Sequence, residues 1–193
     1  MIPQPAQTVL AFWFGLPSDP DYSQPKKAWF IKNPAFDQDI RDRFLSLHQQ
    51  ACDGSLDPWQ NEAESCLALL IILDQFSRNL FRGTPKAFAA DDKALAIAKH
   101  ALKSQLDQSL LPVQRWFIYL PFEHSEVWAD QQRSLELWTT LSQHKPSSRT
   151  IQYAQQHADI IYRYGRFPHR NAILNRVNTA AEREFLKQPG SSF

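Results

Sequence analysis

Apolar residues recur along this chain at the three- and four-residue spacing of an amphipathic helix. The pair Asn33-Pro34 is a helix start signal, with Pro where its missing N–H costs nothing, and Asp53-Gly54 is a stop signal. The stripe between them consists of Phe36, Ile40, Phe44, Leu47 and Ala51. This segment is therefore predicted to be one helix with a buried face.

Similar signals divide the rest of the chain into helices, and no segment shows the sustained apolar/polar alternation of a strand. The first predicted helix spans residues 9–14 and is capped by Thr8 and closed by Gly15, and a long helix runs from Asp57-Pro58 to Gly83. Three more follow: one carries Leu95 to Leu106, one is opened by Pro112 and interrupted by Pro121, and one carries Val127 to Leu141. The last two are a helix from Ile151 to Tyr164, ended by Gly165, and a short helix with a Thr179–Glu182 capping box. We predict a single all-α domain over residues 1–193, with about eight helices joined by short links and packed as antiparallel hairpins.

Charge and composition narrow the function classes. The chain has 21 basic and 20 acidic residues and a formal net charge of +1, which does not favour a nucleic-acid or anionic-membrane surface protein. It has only two cysteines, Cys52 and Cys66, and its longest apolar run, 66–73, is too short to span a bilayer. We expect a cytoplasmic protein without a disulfide scaffold or a membrane segment.

The segment LALLIILDQFSRNLFRG, residues 67–83, is apolar until it acquires polar side chains on the same helical face. Asp74 and Arg78 are spaced i,i+4, so their side chains are predicted to meet. Gln75 and Asn79 have the same spacing, and Arg82 lies a little further round the helix. Such a group is either an ion-pair network that fixes helices together or part of a binding site.

Two further polar segments lie among large apolar residues. PFEHSE, at a Pro break, contains His124 and Glu126, and GRFPHRN, just past a helix end, contains Arg166, His169, Arg170 and Asn171. Arg recognises carboxylate and phosphate with a planar fork, and His exchanges protons near neutral pH. If the three segments converge, they form an Arg- and His-lined anion pocket.

These residues also carry a resemblance to a bacterial family known as domain of unknown function 924, over nearly the whole chain. The similar stretches are VLAFWFG, LDQFSRNLFRGTPKAFA, YLPFEHSE, HADIIYRYGRFPHRN and a terminal EFL. The family usually has Pro where this chain has Ser77, and often Gly where it has Asn175. Loss of that Pro is expected to straighten or loosen the turn from Asp74 to Arg82 without removing the site. The resemblance implies an all-helical, TPR-like superhelix of paired helices. It says nothing about an activity.

Two function hypotheses remain open. The first is a binding protein that holds a small anionic molecule or a peptide C-terminus with Asp74, Gln75, Arg78, Asn79, Arg82, Arg166, Arg170 and Asn171. The second is an enzyme acting on a small anionic substrate, which Arg78, Arg82, Arg166 and Arg170 hold, with His124 or His169 as general acid or base and Glu126 or Asp74 tuning its pKa. No nucleophile elbow, phosphate loop or dinucleotide fingerprint is present, so the reaction type stays open, and no cofactor is predicted.

Three other possibilities are weaker. His124, Glu126, His157 and His169 are candidate metal ligands but lack a paired-ligand spacing, so no metal is predicted. The arginines at 163, 166, 170 and 176, with neighbouring aromatics, suggest a nucleic-acid patch, although the neutral net charge argues against it. The tail KQPGSSF ends in Phe193, whose carboxylate is a candidate occupant of the pocket.

Overall fold

The computed structural model describes residues 2–191, which form helices and connecting turns without a strand. The helices are α1 (Gln4–Phe14), α2 (Pro34–Asp53), α3 (residues 63–80), α4 (Asp91–Lys103), α5 (Pro112–Glu123), α6 (Trp128–Thr139), α7 (Ser148–Tyr164) and α8 (Ala180–Phe185). Short 3₁₀ turns lie at Lys27–Trp29, Asp57–Asn61, Pro85–Phe88, Leu106–Ser109, Lys145–Ser147 and Pro168–Arg170. The all-helical prediction is confirmed.

Several helix ends are fixed by the local chemistry that predicted them. The Asn33 side chain accepts hydrogen bonds from the backbone N–H groups of Ala35 and Phe36, at 3.1 and 3.2 Å. Gly54 and Gly165 end α2 and α7 with φ values of 95° and 67°, the left-handed conformation that glycine adopts most easily. Thr179 and Glu182 form the predicted reciprocal capping box at α8.

Three predicted boundaries are wrong. Thr8 does not cap α1, which begins one turn earlier at Gln4, and its hydroxyl donates to the Gln4 carbonyl at 3.1 Å. The helix predicted from Asp57 to Gly83 is divided, because Glu62 adopts an extended conformation (φ −127°, ψ 138°) between a 3₁₀ turn and α3. Pro121 does not interrupt α5, since it lies in the last turn, where the missing N–H costs only one hydrogen bond.

Helix α3 is the centre of the core. It packs against α1, α2, α4 and α5, and every residue from 65 to 77 is buried. Between its α-helical pieces Ala63–Leu70 and Ser77–Leu80, residues Ile71–Phe76 form a π-helix, a distortion that is frequent at functional sites. The buried aromatics Trp13 and Trp29 stack on each other with ring centroids 5.7 Å apart.

Helices α4, α5, α6 and α7 pack against each other in chain order. A smaller apolar cluster of Ile160, Ile161, Phe167 and Phe185 joins α7 and α8. The TPR-like superhelix and the limits of the domain stay predictions. Among residues 2–191, none of the helices combines the length and the apolar character that crossing a membrane requires.

Candidate functional site

Asp74 is the buried acid at the centre of the candidate site. It lies in the π-helical part of α3 and is 1% exposed. Its carboxylate accepts from Nδ1 of His124 at 2.7 Å and from the Gln75 amide at 2.6 Å, and it lies 3.3 Å from Nη1 of Arg78. Burial alone would raise the pKa of Asp74, but Arg78, His124 and the hydrogen bonds outweigh it and hold the pKa well below its usual range. Asp74 is therefore an ionised internal carboxylate.

His124 follows the last residue of α5, and its side chain is 13% exposed. Because an ionised carboxylate only accepts hydrogen bonds, Nδ1 of His124 must carry the proton that it shares with Asp74. Burial and the charge of Arg78 lower the pKa of His124, although Asp74 opposes them. The ring is thus neutral at pH 7, and its second nitrogen, Nε2, carries a lone pair.

Arg78 is neutralised on two sides. Its guanidinium donates to both Asp91 carboxylate oxygens, at 2.9 and 3.2 Å, and to the Asp74 carbonyl at 2.8 Å. Burial would lower the pKa of Arg78, but Asp74 and Asp91 raise it. The predicted contact between Asp74 and Arg78 is present. Asp91, the first residue of α4, is the second acid that pairs with Arg78.

Arg170 belongs to the 3₁₀ turn after α7 and is 7% exposed. Its guanidinium carbon lies 4.5 Å from the Phe167 ring centroid and 4.7 Å from that of Phe88, a cation–π sandwich. Nη2 donates to the His124 carbonyl at 3.1 Å, and Nη1 lies 3.4 Å from Asp91. The Nε–H group is buried and forms no hydrogen bond within residues 2–191. Burial and the nearby Arg78 lower the pKa of Arg170 to about 10.

These contacts bring all three predicted segments together. We use the name polar cluster for Asp74, Arg78, Asp91, His124 and Arg170. It contains two arginines and two aspartates around a neutral histidine, so its formal charge is zero at pH 7.

A second buried pair, Glu123 and His157, lies beside the polar cluster. Nδ1 of His157 is 3.1 Å from a Glu123 carboxyl oxygen and 2.8 Å from the Tyr153 carbonyl. Burial raises the pKa of Glu123 to about 8, and the charge of Asp74 adds to the increase. Burial lowers the pKa of His157 well below 6.5. Both side chains are therefore mainly neutral at pH 7, and the His157 ring is 6.3 Å from that of His124.

The other two predicted acid–base residues are placed differently. His169 is half-buried, its ring lies 5.6 Å from that of Phe167, and burial together with Arg170 lowers its pKa to about 4. Glu126 accepts two hydrogen bonds from Arg176, at 2.6 and 2.9 Å, and one from the Phe167 N–H at 2.8 Å. Glu126 thus anchors the segment after α7 and makes no hydrogen bond to His124.

Two predicted ligand-binding residues, Asn79 and Arg82, point away from the polar cluster, and a third, Gln75, contacts it only through Asp74. Asn79 donates to Asp37 of α2 at 2.7 Å, and Arg82 forms two 3.0 Å bonds to the same carboxylate. Gln75 bonds to Asp74, so the predicted pairing of Gln75 with Asn79 is wrong. The reason is that a partner on another helix competes with the i,i+4 neighbour.

Arg166 and Asn171 also lie outside the polar cluster. Arg166 donates to both oxygens of Glu182, at 2.6 and 2.8 Å. Asn171 is fully buried and bonds to Asn178 and Arg176. These contacts fold the segment between α7 and α8 onto itself. Two arginines of the suggested nucleic-acid patch are neutralised, Arg166 by Glu182 and Arg176 by Glu126.

Sequence reasoning did not include Asp91 or Phe88 in the site. Asp91 is one of two adjacent acids in the first turn of α4, a pattern typical of any helix start, so the sequence carries no signal for its role. Glu123 is adjacent to His124 in the sequence, but its burial depends on packing against His157 of α7, which the sequence does not show.

Two surface cavities of about 350 and 220 Å³ share Leu102 and Arg133 as lining residues. Neither is lined by a residue of the polar cluster. Within the described part of the chain, no group of three or more His, Cys, Asp and Glu side chains is arranged to hold a metal ion. The predicted insertion of the Phe193 carboxylate falls outside residues 2–191.

Comparisons with known proteins agree with the extent of the resemblance. The model of a family described as bacterial protein of unknown function (DUF924) matches residues 9–190. A solved structure of a protein of unknown function from Agrobacterium tumefaciens is 41% identical and has a TM-score of 0.85. The match covers 95% of this chain and 97% of that one. No curated protein matches the chain.

Proposed function

This chain belongs to the bacterial DUF924 family of unknown function, and from the geometry of the polar cluster we propose that it binds a small anionic molecule there. The ligand carries a carboxylate or phosphate group and is held by Arg170 and His124. Arg78 and Asp74 position these two side chains. The proposal assigns Arg82, Arg166, Asn79 and Asn171 to the scaffold.

The incomplete neutralisation of Arg170 carries this proposal. A guanidinium that is 7% exposed normally has a close acid and a partner for each N–H group. Arg78 meets this expectation, whereas Arg170 has one long 3.4 Å contact to Asp91 and a buried Nε–H without a partner. An anion beside Arg170 would supply the acceptor that its Nε–H group lacks and a closer negative charge than Asp91.

A small molecule fits this site better than a peptide C-terminus. Capture of a peptide requires a groove that accommodates several residues beside the carboxylate. The two cavities beside α4 and α6 are lined by residues such as Lys99 and Glu136, which belong to another part of the surface. The polar cluster is buried among helix ends, which favours a compact ligand.

We expect the variant Arg170→Gln to lose anion binding. Inorganic phosphate and glycolate are the probes, and NMR titration gives each dissociation constant. A probe that binds should stabilise the wild type by about 1.4 kcal/mol at ten times its dissociation constant and should leave Arg170→Gln unchanged. Thermal unfolding measures the shift.

Arg82→Gln is the matched control, because Arg82 is paired with Asp37 at the surface, and it should bind the probe as the wild type does. If Arg170→Gln does not fold by circular dichroism, Arg170→Lys replaces it, since Lys keeps the charge but loses the planar fork. Failure of both probes to bind the wild type, or equal binding by the Arg170 variant, contradicts the proposal.

Catalysis is the second candidate, and the 2.7 Å contact between Asp74 and His124 favours it. A buried carboxylate that fixes Nδ1–H leaves Nε2 as a general base. The alternative base, His169, has a pKa of about 4 and would be a weak base at pH 7. Turnover of a small anion by the wild type and not by His124→Gln would support catalysis.

A further inference from the structure

We infer that the ligand of this site carries its own hydrogen-bond donor next to its negative charge. A hydroxy acid and a hydrogen phosphate group have this chemistry, whereas acetate and sulfate are anions without a donor. This inference rests on the proposed anion binding and specifies the class of ligand.

The two ring nitrogens of His124 have different hydrogen-bonding roles. Nδ1 lies 2.7 Å from a carboxylate oxygen of Asp74, which is 1% exposed and has no solvent to compete for the contact. Nδ1 is therefore a donor, and a neutral imidazole with a proton on Nδ1 has only a lone pair on Nε2. Among the residues that the structure describes, none donates a hydrogen bond to Nε2.

Arg170 and His124 then offer complementary groups to one ligand. Arg170 contacts the His124 backbone, with Nη2 at 3.1 Å from the carbonyl oxygen, so the guanidinium and the imidazole belong to adjacent residues in space. The guanidinium can only donate, and Nε2 can only accept. A ligand that satisfies both must present an acceptor anion to Arg170 and an O–H or N–H group to Nε2.

The charge of the polar cluster leads to the same conclusion. Arg78 already has two close acids, Asp74 and Asp91, whereas Arg170 has only the 3.4 Å contact to Asp91, so the anionic group of the ligand is placed beside Arg170 and next to His124. An anion without a donor would set a second lone pair against Nε2, and this repulsion would oppose binding. A ligand hydroxyl removes the repulsion and forms a hydrogen bond instead.

Two charge-matched pairs of probes test the inference at pH 8: glycolate against acetate, and inorganic phosphate against sulfate. We expect the member with a hydroxyl to bind the wild type at least about 10-fold more tightly than its partner. Tighter binding of glycolate than of acetate identifies the ligand class as a hydroxy acid, and tighter binding of phosphate than of sulfate identifies it as a phosphate. NMR titration of the full chain supplies the dissociation constants.

The variant His124→Asn separates the two roles of the imidazole, because its side-chain amide replaces Nδ1–H and has no group at the position of Nε2. In this variant the ratio of the two dissociation constants within a probe pair should fall towards one. The folded Arg82→Gln control should keep the ratio of the wild type. Equal affinity within both pairs in the wild type overturns the inference and leaves the anion site intact. Absence of binding by all four probes overturns the proposed function and the inference with it.

Discussion

Replacement of Asp74 by Ala is expected to lower the free energy of unfolding by about 3–5 kcal/mol, because it removes one member of a buried charged network. Asp74 is 1% exposed and is the acceptor for His124 and Gln75 and an ion-pair partner of Arg78. Without it, Arg78 keeps only Asp91 as an acid and the His124 ring has no acceptor. Urea denaturation at pH 7 measures the change.

Asp39→Ala is the control for this prediction. Asp39 also pairs with an arginine four residues later, Arg43, but at 3.7 Å and with both side chains nearly half exposed. Its removal should cost no more than about 0.5 kcal/mol. Similar losses in the two variants would contradict a structural role for the buried carboxylate. Asp74→Asn should fall between them, since an amide oxygen still accepts from His124.

The helix ends could be predicted where a few adjacent residues determine them. Asn33, Gly165 and the Thr179–Glu182 box each satisfy orphan backbone groups within their own turn, and Gly54 supplies the left-handed backbone that ends α2, so the sequence contains the whole local signal. The division at Glu62 and the π-helix at Ile71–Phe76 arise differently. They depend on how α3 fits among four neighbouring helices, and no short pattern encodes that packing.

The candidate site could be predicted in part for the same reason. The convergence of Asp74, His124 and Arg170 is the condition on which the predicted anion pocket depends, and the sequence supports it only in that all three lie in otherwise apolar segments, where polar residues need buried partners. Their partners were not, since the acid that neutralises Arg78 comes from the start of α4 and the acid that neutralises Arg82 comes from α2. The sequence shows the donors, but the fold decides which of them are already satisfied.

The burial of Glu123 has a consequence for stability that depends on pH. Its ordinary pKa is 4.5 and its pKa in the folded protein is about 8, so the folded state keeps a proton that the unfolded state releases between these values. The unfolded state therefore binds fewer protons in this window, and the contribution of Glu123 to stability is lost as the pH rises from about 4.5 to about 8. Each pH unit is worth about 1.4 kcal/mol, which limits the whole effect to about 5 kcal/mol.

Glu123→Gln should therefore become more stable relative to the wild type as the pH rises from 5 to 8, by about 3–4 kcal/mol, because Gln resembles the protonated acid and cannot ionise. Urea denaturation at pH 5, 6.5 and 8 measures the difference between the two proteins. Burial lowers the pKa of His157, so below its unfolded pKa of about 6.5 this residue makes the free energy of unfolding rise with pH, opposite to the effect of Glu123. His157 is present in both proteins, so its contribution largely cancels in the difference between them.

Glu136→Gln provides the comparison, because Glu136 is 64% exposed and pairs with Arg133 on the surface. Its stability relative to the wild type should change by no more than a few tenths of a kcal/mol over the same pH range. An equally flat response of Glu123→Gln would mean that Glu123 is ionised in the folded protein at neutral pH. His157 would then have to be its charged partner, and the region around His124 would carry an additional positive and negative charge at pH 7.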